Sequence, residues 1–267
     1  MSALLEVAIK LESIPVLRNL LDVYYKRKFA TTGFGMALGI FHDFQEAARS
    51  APRSQRVGFD FAEEATLYQD RLLHIFPEDY PVLFWLRPLL HPGVRVFDFG
   101  GHRGTHFYTY AKYLTYPNDL NWTVCEVPAV VTAGQELAKQ RDACHLHFTS
   151  DFQAADGASV FLANGSLQYV DSPMLAGWLA GMPSAPPHVI LNKFPIYDGK
   201  PYVTLQNGGV AFHPFHVFNR ADFLASLEKL GYQLVDLWPV PTRHGHIPFH
   251  REASFPNYSG LYFRRRS

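Results

Sequence analysis

Residues 94–105 read VRVFDFGGHRGT, and this stretch decides the fold of the chain. Its first part, residues 94–99, is short, β-branched and aromatic, which is typical of a buried parallel strand. Glycines follow directly at Gly100, Gly101 and Gly104, and helical spacing of apolar residues begins after them. The stretch therefore predicts a strand, a tight turn and a helix, the repeating unit of open α/β sheets.

The rest of the C-terminal two thirds continues this alternation. Strand-like segments recur at 122–127, 145–149, 158–162 and 189–192, with helical segments at 105–114 and 128–140. Such alternation predicts βαβ units and a parallel sheet with right-handed crossovers. A last helical pattern at 222–230 precedes two strand-like segments, 233–238 and 260–264, which suit a closing antiparallel hairpin. We therefore predict one doubly wound α/β domain over residues 91–267.

Residues 1–90 are predicted to form a mostly helical extension. Helical spacing runs over 4–21 and 59–75. Breaks are expected at Gly33, Gly35, Gly39, Pro52, Gly58 and Pro77. Because basic residues follow the first helix, it could lie on a membrane surface as a peripheral contact, although docking on its own domain is the simpler interpretation.

Composition limits the class of protein. Hydrophobic residues make up 48% of the 267 residues, and Lys plus Arg equals Asp plus Glu at 24 each. Without net charge there is no overall field to attract nucleic acid, so no nucleic-acid partner is expected. No signal peptide is recognisable, and no apolar stretch reaches the roughly 18 residues of a membrane span, so we expect a cytoplasmic protein. Cys125 and Cys144 lack CxxC spacing and are predicted to be reduced core residues.

The glycine turn has features of a ligand loop. Its G-G-x-x-G spacing differs from the G-x-G-x-x-G of dinucleotide enzymes, and Asp98 precedes the first glycine by two residues. A carboxylate there would repel a pyrophosphate but can pair with an ammonium group, while the following helix offers free N–H groups to an anion. A ligand with both charges fits, as in the methionine half of S-adenosylmethionine. A tight turn without a ligand is the alternative.

Polar clusters also follow the next three predicted strands. Glu126 ends the second strand, where a carboxylate can accept hydrogen bonds from two ribose hydroxyls. Asp151 and Phe152 follow the third strand and could bind the amino group and the face of an adenine, although Asp151 may equally well be read as a solvated turn residue. The fourth strand ends in NGSLQY, residues 164–169. All these clusters lie at C-terminal strand ends, where open sheets bind ligands.

Longer blocks of the chain are similar to a known family. They are FDFGGHRGTHFYTY (97–110), WTVCEVPAVVTAG (122–134), NGSLQYVDSP (164–173), TLQNGG (204–209), VFNRADF (217–223), LGYQLVDLW (230–238), IPFH (247–250) and YSGLYF (258–263), with YPVLFWL (80–86) also similar. On these blocks the chain resembles the class I methyltransferases and, more closely, the bacterial LIC12133 methyltransferase family.

The resemblance implies a Rossmann-like fold whose mostly parallel seven-stranded sheet has the order 3-2-1-4-5-7-6. It also implies S-adenosylmethionine as cofactor and a link to the synthesis of bacterial surface polysaccharide. The cofactor contacts expected from the motifs and the resemblance are Asp98, Gly100, Gly101, His102, Gly104, Glu126, Val127, Asp151, Phe152, Asn164, Ser166 and Gln168. His102 and Arg103 stand where many class I enzymes have a small residue, which leaves open whether the loop also helps bind an anionic acceptor.

The expected acceptor is a hydroxyl on a sugar or glycan precursor. An oxygen nucleophile benefits from a base, and histidine is the natural candidate near neutral pH. The candidate bases are His216, His213 and His250, each with a structural hydrogen-bonding role as the alternative. Plausible sugar contacts are Asn192, Lys193, Gln206, Asn207 and Tyr258.

Three other functions compete with this one. The pairs His213-x-x-His216 and His244-x-His246 could bind a metal ion, but no acid or cysteine stands at a recognisable ligand spacing, so no metal is expected. A methyltransferase fold that binds its ligand without turnover would need the same pocket. A nicotinamide-dependent oxidoreductase would need the G-x-G-x-x-G loop, which this chain lacks.

Overall fold

The computed structural model describes residues 3–60, 74–171 and 174–266, with side chains from residue 6 onward. The helices are α1 (Ala3–Glu12), α2 (Pro15–Ala30), α3 (Phe44–Arg49), α4 (Tyr80–Leu86), α5 (Thr105–Tyr110), α6 (Pro128–Gln140), α7 (Leu175–Ala180) and α8 (Arg220–Glu228). The strands are β1 (Ala37–Phe41), β2 (Arg56–Val57), β3 (Arg95–Phe99), β4 (Asn121–Cys125), β5 (Leu146–Thr149), β6 (Val160–Asn164), β7 (His188–Phe194), β8 (Ile196–Tyr197), β9 (Tyr202–Asn207), β10 (Ala211–Asn219), β11 (Tyr232–Val240) and β12 (Tyr258–Arg265). The helix predicted over 59–75 falls almost wholly outside the described residues.

The larger sheet has seven strands in the order β5-β4-β3-β6-β7-β12-β11. In chain order along the sheet this is 3-2-1-4-5-7-6. The sheet is mixed, because β5, β4, β3, β6 and β7 are parallel while β12 is antiparallel to both β7 and β11. The chain leaves β3 towards β4 on one side and returns to β6 on the other. This reversal opens a crevice at the C-terminal ends of β3 and β6.

Apolar side chains fill both faces of this sheet. Within β3, Val96 belongs to the cluster on one face and Phe97 to the cluster on the other. The same alternation in every central strand explains why these strands read as continuous apolar runs. Cys125 is buried as predicted, but Cys144 is exposed in the turn after α6, so the prediction of two core cysteines is wrong for Cys144.

A second sheet was not expected from the sequence. It has the order β1-β9-β10-β2, with β8 also pairing with β10. Polar residues and Pro214 interrupt β10, and Gly39 lies inside β1, so neither segment has the pattern of an ordinary strand. The two long strands form a hairpin because Asn207-Gly208-Gly209 makes the turn, with Gly208 N–H donating to Ala211 O at 2.8 Å.

The N-terminal region is tied to the rest of the chain across the predicted boundary at residue 90. Strand β1 pairs with β9 and β2 pairs with β10. The Asn207 side chain donates to Phe29 O at 2.6 Å, and Trp85 Nε1 donates to Asp236 Oδ2 at 2.8 Å. The region is therefore not helical throughout, and the two predicted parts share a sheet.

The predicted helix over 4–21 is two helices, because Pro15 begins α2. The end of α1 docks on the body of the protein, where the buried Glu12 accepts hydrogen bonds from His246 and from Phe249 N–H, at 2.8 and 3.0 Å. On α2, Val16 and Leu20 face solvent, so a peripheral membrane contact stays a prediction. Within the described ranges, no helix combines the length and apolar character that a membrane span requires.

Candidate active site

A cleft of about 540 Å³ lies at the C-terminal ends of the parallel strands. One wall, the glycine-loop side, consists of the segments after β3, β4 and β5. The opposite wall, the hairpin side, consists of the ends of β6 and β7, the β9–β10 hairpin and Arg243. A volume of this size falls in the range of about 300–1,000 Å³ that is usual for small-molecule sites.

The glycines of the loop allow close packing at the floor of the cleft. Gly100 has φ +71°, and a Cβ there would lie 2.1 Å from Ser166 Cβ. Ser166 Oγ in turn donates to Phe99 O at 2.5 Å, so the loops after β3 and β6 are in direct contact. A Cβ on Gly101 would lie 2.4 Å from Asp98 Oδ2. Both positions therefore require glycine for steric reasons.

Asp98 does not reach the cleft, which corrects the prediction that it meets an ammonium group of the ligand. Its side chain is fully buried, and its carboxylate accepts hydrogen bonds from His106 Nδ1 at 2.9 Å and Trp122 Nε1 at 3.2 Å. His106 was not among the predicted site residues, and it lies in the first turn of α5, where the helix brings it back over the strand end.

His106 is the lining residue that Asp98 positions. An ionised carboxylate only accepts hydrogen bonds, so the partner nitrogen Nδ1 must carry a proton. In the neutral ring Nε2 is then the unprotonated nitrogen, and the ring lines the cleft. A buried carboxylate that fixes an imidazole in this way is the arrangement of a general base and its orienting acid.

Glu126 and Val127 lie where the sequence placed them, on the glycine-loop side. Glu126 Oε1 accepts from the His102 backbone N–H at 3.0 Å, and Oε2 accepts from Val127 N–H at 3.1 Å. These two bonds hold the half-buried carboxylate at the end of β4. A carboxylate has several lone pairs on its two oxygens, which suits it to accept more than two hydrogen bonds at once.

Two aromatic rings of the glycine-loop side pack against Trp178, which comes from α7 and also lines the cleft. Phe152 lies 3.8 Å from Trp178 between ring centroids, and Phe99 lies 5.7 Å from Trp178. Trp178, on α7, carried no sequence signal. Asp151 is exposed and caps the following turn by accepting from Gln153 N–H at 2.9 Å, so the structure supports its turn role and does not bring it to the cleft surface. Cys125 also lines the cleft, and burial raises the pKa of its thiol to about 12.

Two other predicted cofactor contacts have structural roles. Gly104 has φ +84° and packs on Leu146, where a Cβ would lie 2.6 Å from Leu146 Cδ2. Gln168 is buried and donates to Gly165 O at 3.1 Å. Neither lines the cleft. The predicted contacts that do line it are Gly100, Gly101, His102, Glu126, Val127, Phe152, Asn164 and Ser166.

Of the three histidines predicted as bases, only His213 lines the cleft. It is buried on β10 and stacks on Phe59, with centroids 3.8 Å apart. His216 lies three residues along the same strand and therefore on the opposite face, where Nε2 is 3.2 Å from Asp171 O. His250 is half-exposed beside Glu252, at 3.2 Å. The placements of His216 and His250 contradict a catalytic role in this cleft.

The same geometry separates the histidine pairs considered as metal ligands. Within the part of the chain that the structure describes, no group of three or more His, Cys, Asp or Glu side chains converges on a point suitable for a metal ion. His213 and His216 face opposite sides of β10, and His246 is bound to Glu12. That the protein needs no metal stays a prediction.

A buried ion pair lies behind the hairpin side. Lys193 Nζ is 2.9 Å from Asp79 Oδ1, and the same oxygen accepts from Asn164 Nδ2 at 2.9 Å. Burial by itself raises the pKa of the Asp79 carboxyl, but the Lys193 ammonium and the Asn164 amide together lower it below its usual value. Burial lowers the pKa of Lys193, which the Asp79 carboxylate partly offsets. Asp79 belongs to the N-terminal region, and the sequence motifs gave no sign of it.

Comparisons with known proteins agree with this architecture. No family model and no curated protein sequence matches the chain. Among solved structures, the 1,6-didemethyltoxoflavin-N1-methyltransferase of Burkholderia thailandensis, solved with 1,6-didemethyltoxoflavin and S-adenosylhomocysteine bound, has 17% identity and a TM-score of 0.50, covering 78% of this chain and 84% of its own. The CcbJ methyltransferase of Streptomyces caelestis has 11% identity and a TM-score of 0.50, covering 79% of this chain and 98% of its own.

At these identities the likeness concerns the fold alone. The chain has the Rossmann-like fold of the class I methyltransferases, with a mixed seven-stranded sheet and flanking helices. The closer resemblance to the LIC12133 family stays a prediction.

Proposed function

We propose that the protein is an S-adenosylmethionine-dependent methyltransferase that methylates a hydroxyl of a sugar or glycan precursor. The observation that carries the proposal is the position of Glu126. Its carboxylate is fixed by two backbone N–H groups at the end of β4, inside a cleft and next to a glycine turn. That combination suits a nucleoside whose ribose lies over β4.

The residues present fit the cofactor. Gly100 and Gly101 bring the backbone close to the space in which the methionine end would lie, and Glu126 would hold the ribose hydroxyls. Phe152 and Phe99 would cover the adenine, because flat apolar rings suit a purine face. Bound there, S-adenosylmethionine would supply an electrophilic methyl group on a sulfonium.

The chain itself would position and deprotonate the acceptor. His106 is the base that we assign, because its Nε2 is unprotonated in the neutral ring and its Nδ1 is held by the buried Asp98. His213 is the second candidate, since it also lines the cleft. General-base help of this kind contributes about 10²–10⁴-fold in rate.

The hairpin side supports a hydroxyl-rich acceptor. Tyr169 and Gln206 are joined at 2.6 Å from hydroxyl to amide oxygen, and the cleft also includes Asn164 and Asn207. Amide and phenol groups both donate and accept, as sugar recognition requires. The link to bacterial surface polysaccharide and the cytoplasmic location belong to this proposal and rest on the resemblance and on the sequence.

Calorimetry with S-adenosylhomocysteine tests the cofactor. We expect the wild-type protein to bind it with a dissociation constant in the micromolar range and to leave NADH fluorescence unchanged. Absence of binding heat at high micromolar S-adenosylhomocysteine would contradict the assignment. Enhancement of NADH fluorescence would also contradict it and would favour an oxidoreductase.

Transfer of a labelled methyl group to a bacterial glycan extract tests turnover. His106→Asn should retain S-adenosylhomocysteine affinity within about twofold and should lower transfer by about 10²-fold or more. Binding without transfer by the wild-type protein to any extract fraction would instead favour a methyltransferase fold that has kept its ligand and lost its activity. Equal transfer by wild type and His106→Asn would remove His106 from the mechanism.

A further inference from the structure

On the hairpin side of the cleft, Arg243 carries a positive charge that none of the described carboxylates balances. Arg243 lies in the connection between β11 and β12, and its half-buried side chain lines the cleft. Among the described residues, no carboxylate lies within ion-pair distance of its guanidinium. A half-buried guanidinium is costly to leave without an anionic partner, because it has lost part of its hydration.

The neighbouring charges do not neutralise Arg243. Lys193 also lines the cleft, but Asp79 balances it from behind, and Arg243 is among the charges that lower the pKa of Lys193. Among the described residues that line the cleft, the carboxylate is that of Glu126. It lies on the glycine-loop side, where it accepts hydrogen bonds from two backbone N–H groups. The hairpin side therefore presents one cation in excess.

The backbone at Lys193 has an unusual conformation that decides which side of the sheet its side chain faces. The side chains of consecutive strand residues normally face opposite sides of the sheet. Asn192 and Lys193 instead bind two adjacent residues, because Asn192 Nδ2 donates to Glu78 O and Lys193 Nζ donates to Asp79 Oδ1, both at 2.9 Å. Lys193 achieves this with φ +51°, a left-handed conformation that is strained for a non-glycine residue. Such strain persists where the surrounding structure fixes it, and it is frequent at binding sites.

Space for a larger acceptor continues past Arg243. A second cavity of about 270 Å³ is lined by residues that directly follow Arg243, including His244 and His246, and by Tyr258. The second cavity and the cleft share Phe34, Gly35 and Gln206 in their walls. The chain therefore passes from the wall of the cleft at Arg243 to the wall of the second cavity at His244.

We infer that the cleft has a binding site for an anionic group of the methyl acceptor, a carboxylate or a phosphate ester, with Arg243 as its counter-charge and Lys193 as a further donor. That the anion belongs to an acceptor rests on the proposed function. We assign the anion to the acceptor because the cofactor carboxylate is expected at the glycine turn after β3, whereas Arg243 comes from the connection between β11 and β12. Arg and Lys together are the usual partners of carboxylate and phosphate oxygens.

Side-chain NMR of the full-length protein tests the site without a known acceptor. Inorganic phosphate and acetate are titrated separately at constant ionic strength, with and without S-adenosylhomocysteine, while the arginine Nε–Hε signals are followed. The Arg243 signal is assigned with Arg243→Lys. We expect it to shift saturably at low millimolar concentrations of one or both anions, and the tighter anion identifies the group.

Two variants serve as controls. Arg27 is exposed on α2, away from the cleft, and its signal should drift only linearly. Arg243→Gln should bind either anion at least tenfold more weakly, as read from backbone amides of Asn164 and Gln206, whereas Arg27→Gln should bind as the wild type does. A linear response of Arg243 that matches Arg27, or anion binding unchanged in Arg243→Gln, would overturn the inference.

Affinity for S-adenosylhomocysteine separates the two proposals. Arg243→Gln should bind it within about twofold of the wild type, whereas a tenfold loss would assign Arg243 to the cofactor and overturn the acceptor site. If the wild type does not bind S-adenosylhomocysteine, the proposed function fails. The anion titration then still decides whether Arg243 forms an anion site.

Discussion

The two sides of the cleft are built in different ways. On the glycine-loop side, each functional group lies within a few residues of a strand end, and backbone N–H groups hold Glu126 in place. On the hairpin side, Asp79, Lys193 and Arg243 come from three distant parts of the chain. One side therefore depends on local turns, and the other depends on a buried ion pair between separate elements. We therefore expect mutations on the two sides to have different effects on stability and on binding.

Removing the buried cation should have the largest effect, and it should fall on stability. Lys193→Met leaves Asp79 buried without its counter-charge, so we expect the free energy of unfolding to fall by about 3–5 kcal/mol. The double variant Asp79→Asn/Lys193→Met should recover more than half of that loss. Urea unfolding at pH 7 measures both. A loss under 1 kcal/mol in Lys193→Met would show that the hairpin side does not depend on the pair.

The glycine loop should respond to steric change, and Gly93 provides a matched control. Gly100 and Gly93 both have positive φ, at +71° and +77°, but a Cβ on Gly93 meets nothing within 4 Å. Gly93→Ala should lose about 1–2 kcal/mol from backbone strain and keep its affinity for S-adenosylhomocysteine. Gly100→Ala should lose about 2–4 kcal/mol and most of that affinity, because its Cβ overlaps Ser166. Equal stability and equal affinity in the two variants would show that the close contact between Gly100 and Ser166 is not needed for binding.

A smaller effect is expected at Glu126. Glu126→Gln keeps the shape of the side chain but removes the negative charge of the carboxylate, whose oxygens accept from the His102 and Val127 N–H groups. The dissociation constant for S-adenosylhomocysteine should rise about tenfold, equivalent to about 1.4 kcal/mol. Glu136→Gln, exposed on α6, is the control and should bind normally. Calorimetry of both variants decides the matter, and unchanged binding in Glu126→Gln would remove the ribose contact.

The smallest effect should be the pH dependence of the ion pair. The pKa of Asp79 is lower in the folded protein than in the unfolded chain, so its contribution to stability is complete above about pH 4. This contribution to stability is lost as the pH falls through the pKa that Asp79 has in the folded protein. The reason is that the unfolded chain binds the proton at a higher pH than the folded protein does. Asp79→Asn should show a shallower loss of stability below pH 4 than the wild type. Asp119→Asn, at an exposed position, should match the wild type in urea unfolding at each pH.

The sequence predicted the glycine-loop side well because its signals are local. A strand followed by glycines, and an acid at the next strand end, can each be identified from a few residues. Asp98 was nevertheless placed wrongly, and of the two interpretations of Asp151 the structure supports the turn residue. Both are acids at strand ends, and only the fold shows that His106 and Trp122 cover one, while the other caps its own turn.

The sequence singled out Lys193, Gln206 and Asn207, which do line the cleft, whereas Asn192 and Tyr258 do not. It missed the second sheet that carries the hairpin side, for a physical reason. Strand β10 contains Pro214, and its two histidines lie three residues apart among large apolar side chains, so the segment lacks the alternation that identifies a strand. His213 and His216 were both candidate bases, but three positions along a strand place them on opposite faces. No periodicity predicts that Asp79 meets Lys193.

The sequence by itself determined the parallel strands, the position of a crevice at their C-terminal ends and the glycine turn, because short-range patterns of apolar side chains and backbone conformation specify these. Only the tertiary structure decided which acids face the cleft, which histidine has an oriented ring and where an unbalanced cation lies. Those properties depend on contacts between residues far apart in the chain, and burial sets their charge and hydrogen bonding.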